Sequence, residues 1–172
     1  LQAFDKMLSI YILAEGELDT ESLITKEEID QFFFTRQPRN LIISREYSTV
    51  ERETNIDVRH SEIQLKLKEL LEKEYGVENV SIENPCGGNR IDAVVRQKTI
   101  FIFYEIKTAS NPRSCIRQAL GQILDYAYWP GKKKANQMVI VGEYPLTENG
   151  KRYLAFLNKE FSLPISYLHL TI

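Results

Sequence analysis

Apolar residues in the middle of the chain predict two neighbouring β-strands. The first, Ile91–Arg96, carries the apolar run Ala93-Val94-Val95. The second, Thr99–Lys107, is rich in β-branched and aromatic residues, which favour strands. The two residues between them, Gln97-Lys98, are enough for a tight turn. We therefore predict a β-hairpin over residues 91–107.

Three charged side chains share one face of this predicted hairpin. A turn centred on Gln97-Lys98 places Asp92 opposite Phe103. Because side chains alternate between the two faces of a strand, Glu105 and Lys107 lie on the face of Phe103, and Asp92 lies diagonally across from Glu105. A bulge at the turn would change this parity.

These charged side chains match the chemistry of a divalent-metal site. Mg²⁺ prefers oxygen ligands and often takes one or two carboxylates, with water and substrate phosphate completing its shell. Asp92 and Glu105 supply carboxylates, and the carbonyl of Ile106 lies beside them. Lys107 would orient or help to deprotonate an attacking water, or neutralise transition-state charge.

The alternative interpretation is an ordinary ion pair on the face of a strand. The run Ile100–Tyr104 is continuously apolar, which predicts a buried strand. Charges at the end of such a strand are costly unless they are paired or bind a ligand. The position of Glu105 and Lys107 at the end of this strand therefore favours a functional site over an ordinary surface ion pair.

The rest of the chain predicts helices and strands around the hairpin. An amphipathic helix covers Asp57–Tyr75, and Gly76 ends it. A second helix runs from about Arg113 to Tyr128, with Pro112 at its start and Asn111 or Ser110 as its cap. The remaining predicted elements are the strands Val77–Glu83, Gln137–Gly142 and Ile165–Ile172 and the helix Leu146–Lys159. This order predicts an α/β sandwich with a mixed sheet.

The spacing of the polar residues resembles one nuclease superfamily. Asp92 follows Gly88 after three residues, twelve residues separate it from Glu105-Ile106-Lys107, and a helix with Gln122 and Tyr126 comes next. This pattern resembles the PD-(D/E)XK phosphodiesterases, which are the restriction-endonuclease-like nucleases.

The resemblance covers residues 58–142, and Arg90-Ile91-Asp92 together with the Gln-x-x-x-Tyr pattern is most similar to the RecB-like branch. No proline precedes Asp92, which departs from the family motif. Some members of this branch hold an iron–sulfur cluster with four cysteines. The chain has only Cys86 and Cys115, so no such cluster is predicted.

The resemblance implies a restriction-endonuclease-like core of order α-β-β-β-α-β, with a mixed central sheet flanked by helices. It also implies a role for each motif residue, with Mg²⁺ or Mn²⁺ as the cofactor. The motif residues implied are Asp92 and Glu105 for the metal and for catalysis, Lys107 and Gln122 for catalysis, and Tyr126 for substrate binding. To these the residues themselves add the carbonyl of Ile106 and His60 as metal ligands and Gln64 as a substrate contact.

The first core helix of the family contributes a polar or acidic residue to the metal site, and RecB-like enzymes resemble one another in using a histidine. Helical geometry favours His60 here, with Gln64 one turn later on the same edge. Glu62 has suitable chemistry but projects to the opposite side, and Glu83 at a predicted strand end is another candidate. A half-buried structural His60 is the alternative, so the identity of this ligand stays open.

Basic residues outside the motif are candidate contacts to a phosphate backbone. Arg113 and Arg117 lie near the start of the second helix, and Lys132-Lys133-Lys134 follow Pro130-Gly131. The arginines are equally compatible with plain surface charges. The lysine run is also typical of a solvated loop.

The chain has 172 residues, of which 43% are hydrophobic, enough for one well-cored domain and an appendage. We predict a mainly helical N-terminal extension over residues 1–56 and a nuclease-like domain over residues 57–172. In the extension, a capping box at Thr25–Glu28 predicts a short helix through Phe34. The cluster Phe32-Phe33-Phe34 would pack on the core, on a preceding domain or on a partner.

A net charge of −2 argues against a protein that coats nucleic acid generically. Two cysteines without a Cys-x-x-Cys motif and the lack of a secretory hydrophobic segment predict a reducing, cytoplasmic setting without membrane contact. Because the chain begins with Leu, we expect it to come from a longer protein with additional domains. A homodimer is a further expectation, by analogy with enzymes that cut both strands.

The predicted function is therefore a metal-dependent nuclease that acts on nucleic acid, with DNA as the first choice. Defence, restriction and repair are suitable contexts. RNA is a second possible substrate, because hydrolysis by an activated water does not need the 2′-hydroxyl. The alternative function is a non-catalytic nucleic-acid-binding or assembly module of a larger protein.

Overall fold

A computed structural model describes residues 32–35 and 51–172, and for residues 51–57 it describes only the helical backbone. The elements in chain order are α1 (Glu51–Tyr75), a short 3₁₀ helix (Val77–Asn79), β1 (Val80–Cys86), β2 (Asn89–Gln97), β3 (Ile100–Lys107), α2 (Pro112–Tyr128), β4 (Gln137–Gly142), α3 (Glu148–Phe161) and β5 (Ile165–His169). In this described part of the chain, no helix is both long and apolar enough to span a membrane.

The five strands form one sheet in the order β1-β2-β3-β4-β5. The first three strands pair antiparallel, and β3-β4 and β4-β5 pair parallel. Each parallel connection passes through a helix, α2 or α3, the usual crossover between parallel strands. This arrangement confirms the predicted α/β fold class, with the restriction-endonuclease-like core order and a mixed central sheet flanked by helices.

Helices cover both faces of the sheet and bury two apolar clusters. The α1 cluster contains Ile63, Leu67, Leu71, Ala93, Val95, Ile102, Tyr104, Ile106, Val139 and Val141. The opposite cluster, under α2 and α3, contains Val94, Phe103, Cys115, Ile116, Ala119, Ile123, Tyr126, Met138, Ile140, Leu154 and Leu157. Each fully buried aliphatic side chain contributes about 1.5–3 kcal/mol, so packing on the sheet rather than helix propensity holds the helices.

The β2–β3 hairpin is confirmed, but its register differs from the prediction by two residues. The strands pair Ala93 with Tyr104 and Gln97 with Ile100, so the turn lies at Lys98-Thr99 instead of Gln97-Lys98. Continuing this register brings Asp92 level with Glu105. A shift of two residues preserves the side-chain parity, so the predicted common face is retained while the pairing of Asp92 with Phe103 is wrong.

Helix α1 begins at Glu51, six residues before the predicted start at Asp57. The helix therefore crosses the predicted boundary between residues 1–56 and 57–172. The division of the chain into an extension and a nuclease-like domain stays a prediction. Most of the predicted N-terminal extension lies outside the described residues.

The segment 32–35 is neither helix nor strand, so a predicted helix through Phe34 is wrong at its end. Phe32 packs on Phe101 and Phe103, with ring centroids 5.2 and 5.0 Å apart, and Phe34 lies 6.3 Å from Phe101. The sequence predicts that this aromatic cluster packs on the core, on a preceding domain or on a partner. In the structure, Phe32 and Phe34 pack on the sheet of the core.

The first predicted strand is displaced along the chain. Residues Val77–Asn79 form a 3₁₀ helix, and β1 continues past Glu83 to Cys86. Glu83 has a φ of 51°, so the strand is locally distorted there instead of ending. The last strand ends at His169 instead of Ile172.

Side-chain caps begin both α2 and α3, and the cap at Asn111 is one of the two predicted for α2. The Asn111 side chain accepts a hydrogen bond from the amide of Ser114 at 2.9 Å, and Pro112 occupies the first helical turn of α2. The Thr147 hydroxyl accepts from the amide of Gly150 at 3.2 Å at the start of α3. Side-chain oxygens that satisfy free amides in this way define where a helix begins.

Candidate active site

Asp92 lies where β2 and β3 separate. Its Oδ2 atom accepts a hydrogen bond of 2.7 Å from the backbone amide of Ile106. Its own carbonyl accepts one of 3.2 Å from the side chain of Gln64, which is only 2% exposed. Asp92 is therefore held at both its carboxylate and its backbone. Gln64, for which we predict substrate binding, is buried and contacts the backbone of Asp92.

His60 reaches Asp92 from α1. Its Nε2 atom lies 3.4 Å from Oδ1 of Asp92, and 31% of the His60 side chain and 17% of the Asp92 side chain are exposed. The hydrogen bond to Asp92 raises the pKa of His60, and burial opposes this shift. The imidazole thus lies against the carboxylate oxygen that the Ile106 amide leaves free.

Glu105 is the buried acid of the site, at 1% exposure. Its Oε1 atom accepts a hydrogen bond of 2.6 Å from Nζ of Lys107, whereas its Oε2 atom is buried without a hydrogen-bond partner. Burial first, and then the charge of Asp92, raise the pKa of Glu105 from 4.5 to about 7. A buried carboxylate oxygen without a partner is costly unless a ligand satisfies it.

Lys107 connects the Glu105 carboxylate to α2. Its ammonium group also donates to Oε1 of Gln122 at 2.9 Å, and the amide of Gln122 donates to the hydroxyl of Tyr126 at 2.8 Å. Gln122 is exposed, whereas Tyr126 is 4% exposed and belongs to the core under α2. The sequence placed both residues on one polar helix face. The structure places the ring of Tyr126 in the core and only its hydroxyl at the site.

The oxygen atoms of this site suit a hard divalent cation. The Asp92 and Glu105 carboxylates and the carbonyl of Ile106 are the ligand types that Mg²⁺ prefers, and Oε2 of Glu105 is unsatisfied. Among the described side chains, those of residues 32–35 and 58–172, no three His, Cys, Asp or Glu gather as a preformed metal cage. Mg²⁺ usually binds through one or two carboxylates and keeps several waters, so the residues present fit it.

Several predicted site residues lie elsewhere. Arg113 and Arg117 are nine and five residues before Gln122, which places them on the far side of α2 at 100° per residue. They line a groove of about 690 Å³ between α2 and the start of α3, with Asn149 and Tyr153. The structure does not bring these arginines to Lys107 or Gln122.

The two other acidic candidates interact with arginines, although the register of β1 and β2 brings Glu83 level with Asp92. Glu83 forms an ion pair of 2.8 Å with Arg90. Glu62 is exposed on α1, where its charge acts on Arg59. Of the three candidates to complete the metal site, His60 is the one with a described contact to Asp92.

An ion pair beside the site was not predicted. Nε of Arg59 donates to Oε2 of Glu143 at 2.6 Å, and the side chains are 54% and 6% exposed. Arg59 directly precedes His60, and Glu143 follows Gly142, whose register partner on β3 is Lys107. The available signal was an acid directly after the buried strand Gln137–Gly142, the same signal that pointed to Glu105.

Comparison with known proteins gives little beyond the fold. One solved structure that this chain resembles is a repair endonuclease from Pyrococcus abyssi, with 18% sequence identity and a TM-score of 0.39. The similarity covers 73% of this chain and 49% of that one, so the chain spans about half the length of the endonuclease. No family model and no curated protein matches the chain. A TM-score this low carries no argument about activity, so the function is inferred from the site.

Proposed function

We propose that the chain is a metal-dependent nuclease of the PD-(D/E)XK superfamily, closest to the RecB-like branch, that hydrolyses phosphodiester bonds in DNA. The observation that carries the proposal is the juxtaposition of Asp92 and Glu105, with an unpartnered Oε2 on Glu105, beside a lysine that α2 holds in place. The endonuclease in the structural comparison agrees with this proposal but does not carry it.

The metal would be held by the carboxylates of Asp92 and Glu105 and by the carbonyl of Ile106. When bound, Mg²⁺ or Mn²⁺ supplies Lewis-acid chemistry, activating water and offsetting charge on a phosphoryl oxygen. The Ile106 amide fixes Oδ2 of Asp92 and leaves Oδ1 towards His60. His60 then acts by orienting Asp92, either as a neighbour of the metal or as one of its ligands.

Lys107 would act on the water and on the transition-state charge. An ammonium group has three N–H donors, and two of them already contact Glu105 and Gln122. The third remains for the attacking water or for a phosphoryl oxygen. A positioned cation that meets developing negative charge in a site of low dielectric is worth about 10²–10³ in rate.

Gln122 and Tyr126 would fix the position of that cation. The hydroxyl of Tyr126 holds the Gln122 amide, and the Gln122 oxygen holds Lys107. Arg59 adds a second positive charge on the α1 side of the site. Only its Nε–H is bonded to Glu143 among the described contacts, so the remaining N–H groups can meet a substrate phosphate.

The test is cleavage of supercoiled plasmid, linear duplex DNA, single-stranded DNA and RNA, each with Mg²⁺, Mn²⁺ or EDTA. We expect metal-dependent cutting that Lys107→Ala reduces by about 10²-fold or more. Lys151→Ala is a matched control, because Lys151 pairs with an acid three residues away on the exposed surface of α3. Cutting that survives EDTA or the Lys107 variant would reject the proposed mechanism. Binding without cutting of any polymer would favour the binding-module alternative.

A further inference from the structure

The only tryptophan of the chain, Trp129, is exposed at the end of α2. It is 61% exposed, while its backbone amide donates to the carbonyl of Asp125 at 2.9 Å and so closes the last turn. The backbone position of the residue is therefore fixed although its side chain faces water. A tryptophan held in this way offers a large flat surface with little further ordering on binding.

Trp129 follows the candidate active site along the same side of α2. It lies seven residues, or about two turns, after Gln122, which corresponds to a rise of about 10 Å. Both residues are exposed, and Gln122 is the α2 contact of Lys107. A strand that runs along α2 from a phosphate at Lys107 towards the end of the helix would pass Trp129 within a few nucleotides.

Two exposed lysines follow Trp129 in the next loop. The loop is tied back to α2, because the amide of Gly131 donates to the carbonyl of Tyr128 at 2.6 Å and the amide of Lys134 donates to that of Ala127 at 2.8 Å. Lys132 and Lys133 are exposed, and neither has an ion-pair partner among the described residues. Their charges are free to meet a polyanion.

We propose that Trp129, Lys132 and Lys133 form a binding site for single-stranded nucleic acid, with one unpaired base stacked on the indole. Single-strand sites combine basic groups along the backbone with aromatic side chains that stack on bases. A duplex hides its base faces, so this site selects an unpaired or frayed strand next to the scissile phosphate. This inference rests on the proposed function, because the Trp129 site would hold the strand whose phosphodiester bond is cut beside Lys107.

The test uses Trp129 as its own reporter. Wild-type protein in EDTA is titrated with an oligothymidylate and, separately, with a duplex hairpin of equal length, and tryptophan fluorescence is followed. We expect the single strand to quench the emission and the duplex to leave it nearly unchanged. Because EDTA prevents cleavage, quenching without activity in the metal assays would overturn only the nuclease proposal.

Variants then assign the affinity, measured by anisotropy of a labelled single strand in EDTA. We expect Trp129→Ala to weaken binding by roughly 5- to 150-fold, the effect of losing one base–aromatic stack, and Trp129→Phe to weaken it less. Phe161→Ala is the matched control, since Phe161 is also 61% exposed but ends α3. We expect replacement of Lys132 and Lys133 by alanine to reduce the salt dependence of binding.

Three results would overturn the inference: no quenching by the single strand, unchanged affinity in Trp129→Ala, or equal loss of duplex and single-strand binding in that variant. Circular dichroism and the thermal midpoint of Trp129→Ala and Trp129→Phe check that neither substitution changes the overall helix content or stability. If Trp129→Ala lost single-strand binding but cleaved duplex DNA at the wild-type rate, the result would still support a single-strand site at Trp129.

Discussion

Lys107 and Glu105 form an ion pair of 2.6 Å that satisfies only one oxygen of a buried carboxylate. The second oxygen, Oε2, has neither solvent nor a hydrogen-bond donor. Desolvation of this kind destabilises the charged form of an acid, and the nearby Asp92 adds to the effect. The ion pair therefore leaves one buried oxygen unsatisfied, which lowers the stability of the fold. A cation bound at Oε2 would satisfy this oxygen.

The first prediction concerns the stability of the metal-free protein against pH. The pKa of Glu105 is raised to about 7 from 4.5, so the folded state binds this proton more tightly than the unfolded chain does. The resulting stabilisation is fully present below about pH 4.5 and is lost as the pH rises through about 7. We expect the free energy of unfolding in EDTA to fall by a few kcal/mol over this range, at about 1.4 kcal/mol per pH unit.

Glu105→Gln should remove most of that decrease, as measured by urea denaturation at several pH values. A smaller slope of the same sign should remain from His60, whose raised pKa also gives stability that is lost as the pH rises. Glu148→Gln, at an exposed position of α3, should keep the slope of the wild type. An identical slope in Glu105→Gln and wild type would contradict the burial argument.

The second prediction separates metal binding from catalysis. Mg²⁺ without nucleic acid should raise the thermal midpoint of the wild type, and more at about pH 8 than at about pH 5.5, because the cation must replace the proton on Glu105. Asp92→Ala and Glu105→Gln should lose this shift and cleavage together. Lys107→Ala should keep the shift and lose cleavage, because it frees Oε1 of Glu105. Isothermal titration measures the affinity of each variant for Mg²⁺. If only Lys107→Ala lost Mg²⁺ binding, the metal site would depend on Lys107 and not on the two carboxylates.

The third prediction is a graded loss of activity along the chain of hydrogen bonds behind Lys107. Lys107→Ala should have the largest effect, about 10²-fold or more on kcat. Gln122→Ala should lower kcat by roughly tenfold, because Lys107 loses one of its two partners. Tyr126→Phe should have the smallest effect, since it removes only the hydroxyl that holds Gln122. Steady-state kinetics gives the ranking, and a larger loss in Tyr126→Phe than in Gln122→Ala would show that the hydroxyl contacts substrate directly.

Periodicity in the sequence was sufficient to bring Asp92, Glu105 and Lys107 to one face. It could not distinguish two hairpin registers that differ by two residues, because both give the same alternation. The observed register, with Ala93 opposite Tyr104, depends on the turn at Lys98-Thr99 and on the contact of Asp92 with Ile106. Neither interaction leaves a periodic signal.

Longer-range relationships explain the remaining differences. Arg59 and Glu143 are 84 positions apart, and the packing of α1 on the face of the sheet brings them together. Tyr126 has a polar tip and an apolar ring, so a helical wheel cannot tell whether the residue is exposed or buried with its hydroxyl at a partner. Gln64 is similar, since a buried amide requires a specific acceptor that the fold supplies at Asp92.

The fourth prediction tests which side of the site carries the substrate backbone. If Arg59 contacts a phosphate, Arg59→Ala should lower the slope of log affinity against log salt for duplex DNA by about 0.9, measured in EDTA. Arg59→Lys should keep the slope but weaken binding, because lysine lacks the planar fork of donors. Glu143→Gln should weaken binding with the charge of Arg59 retained, because a neutral partner fixes the guanidinium less firmly.

Arg113→Ala and Arg117→Ala are the comparison, since both arginines lie on the far side of α2. An unchanged slope in these two variants and a reduced slope in Arg59→Ala would place the backbone over α1 and the strand ends. The reverse result would place it along the groove between α2 and α3, as the sequence first suggested for these arginines. Arg152→Ala, at an exposed position of α3, shows how much any surface charge changes the slope. Equal effects in all four variants would mean that binding follows total charge and that Arg59 has no specific contact.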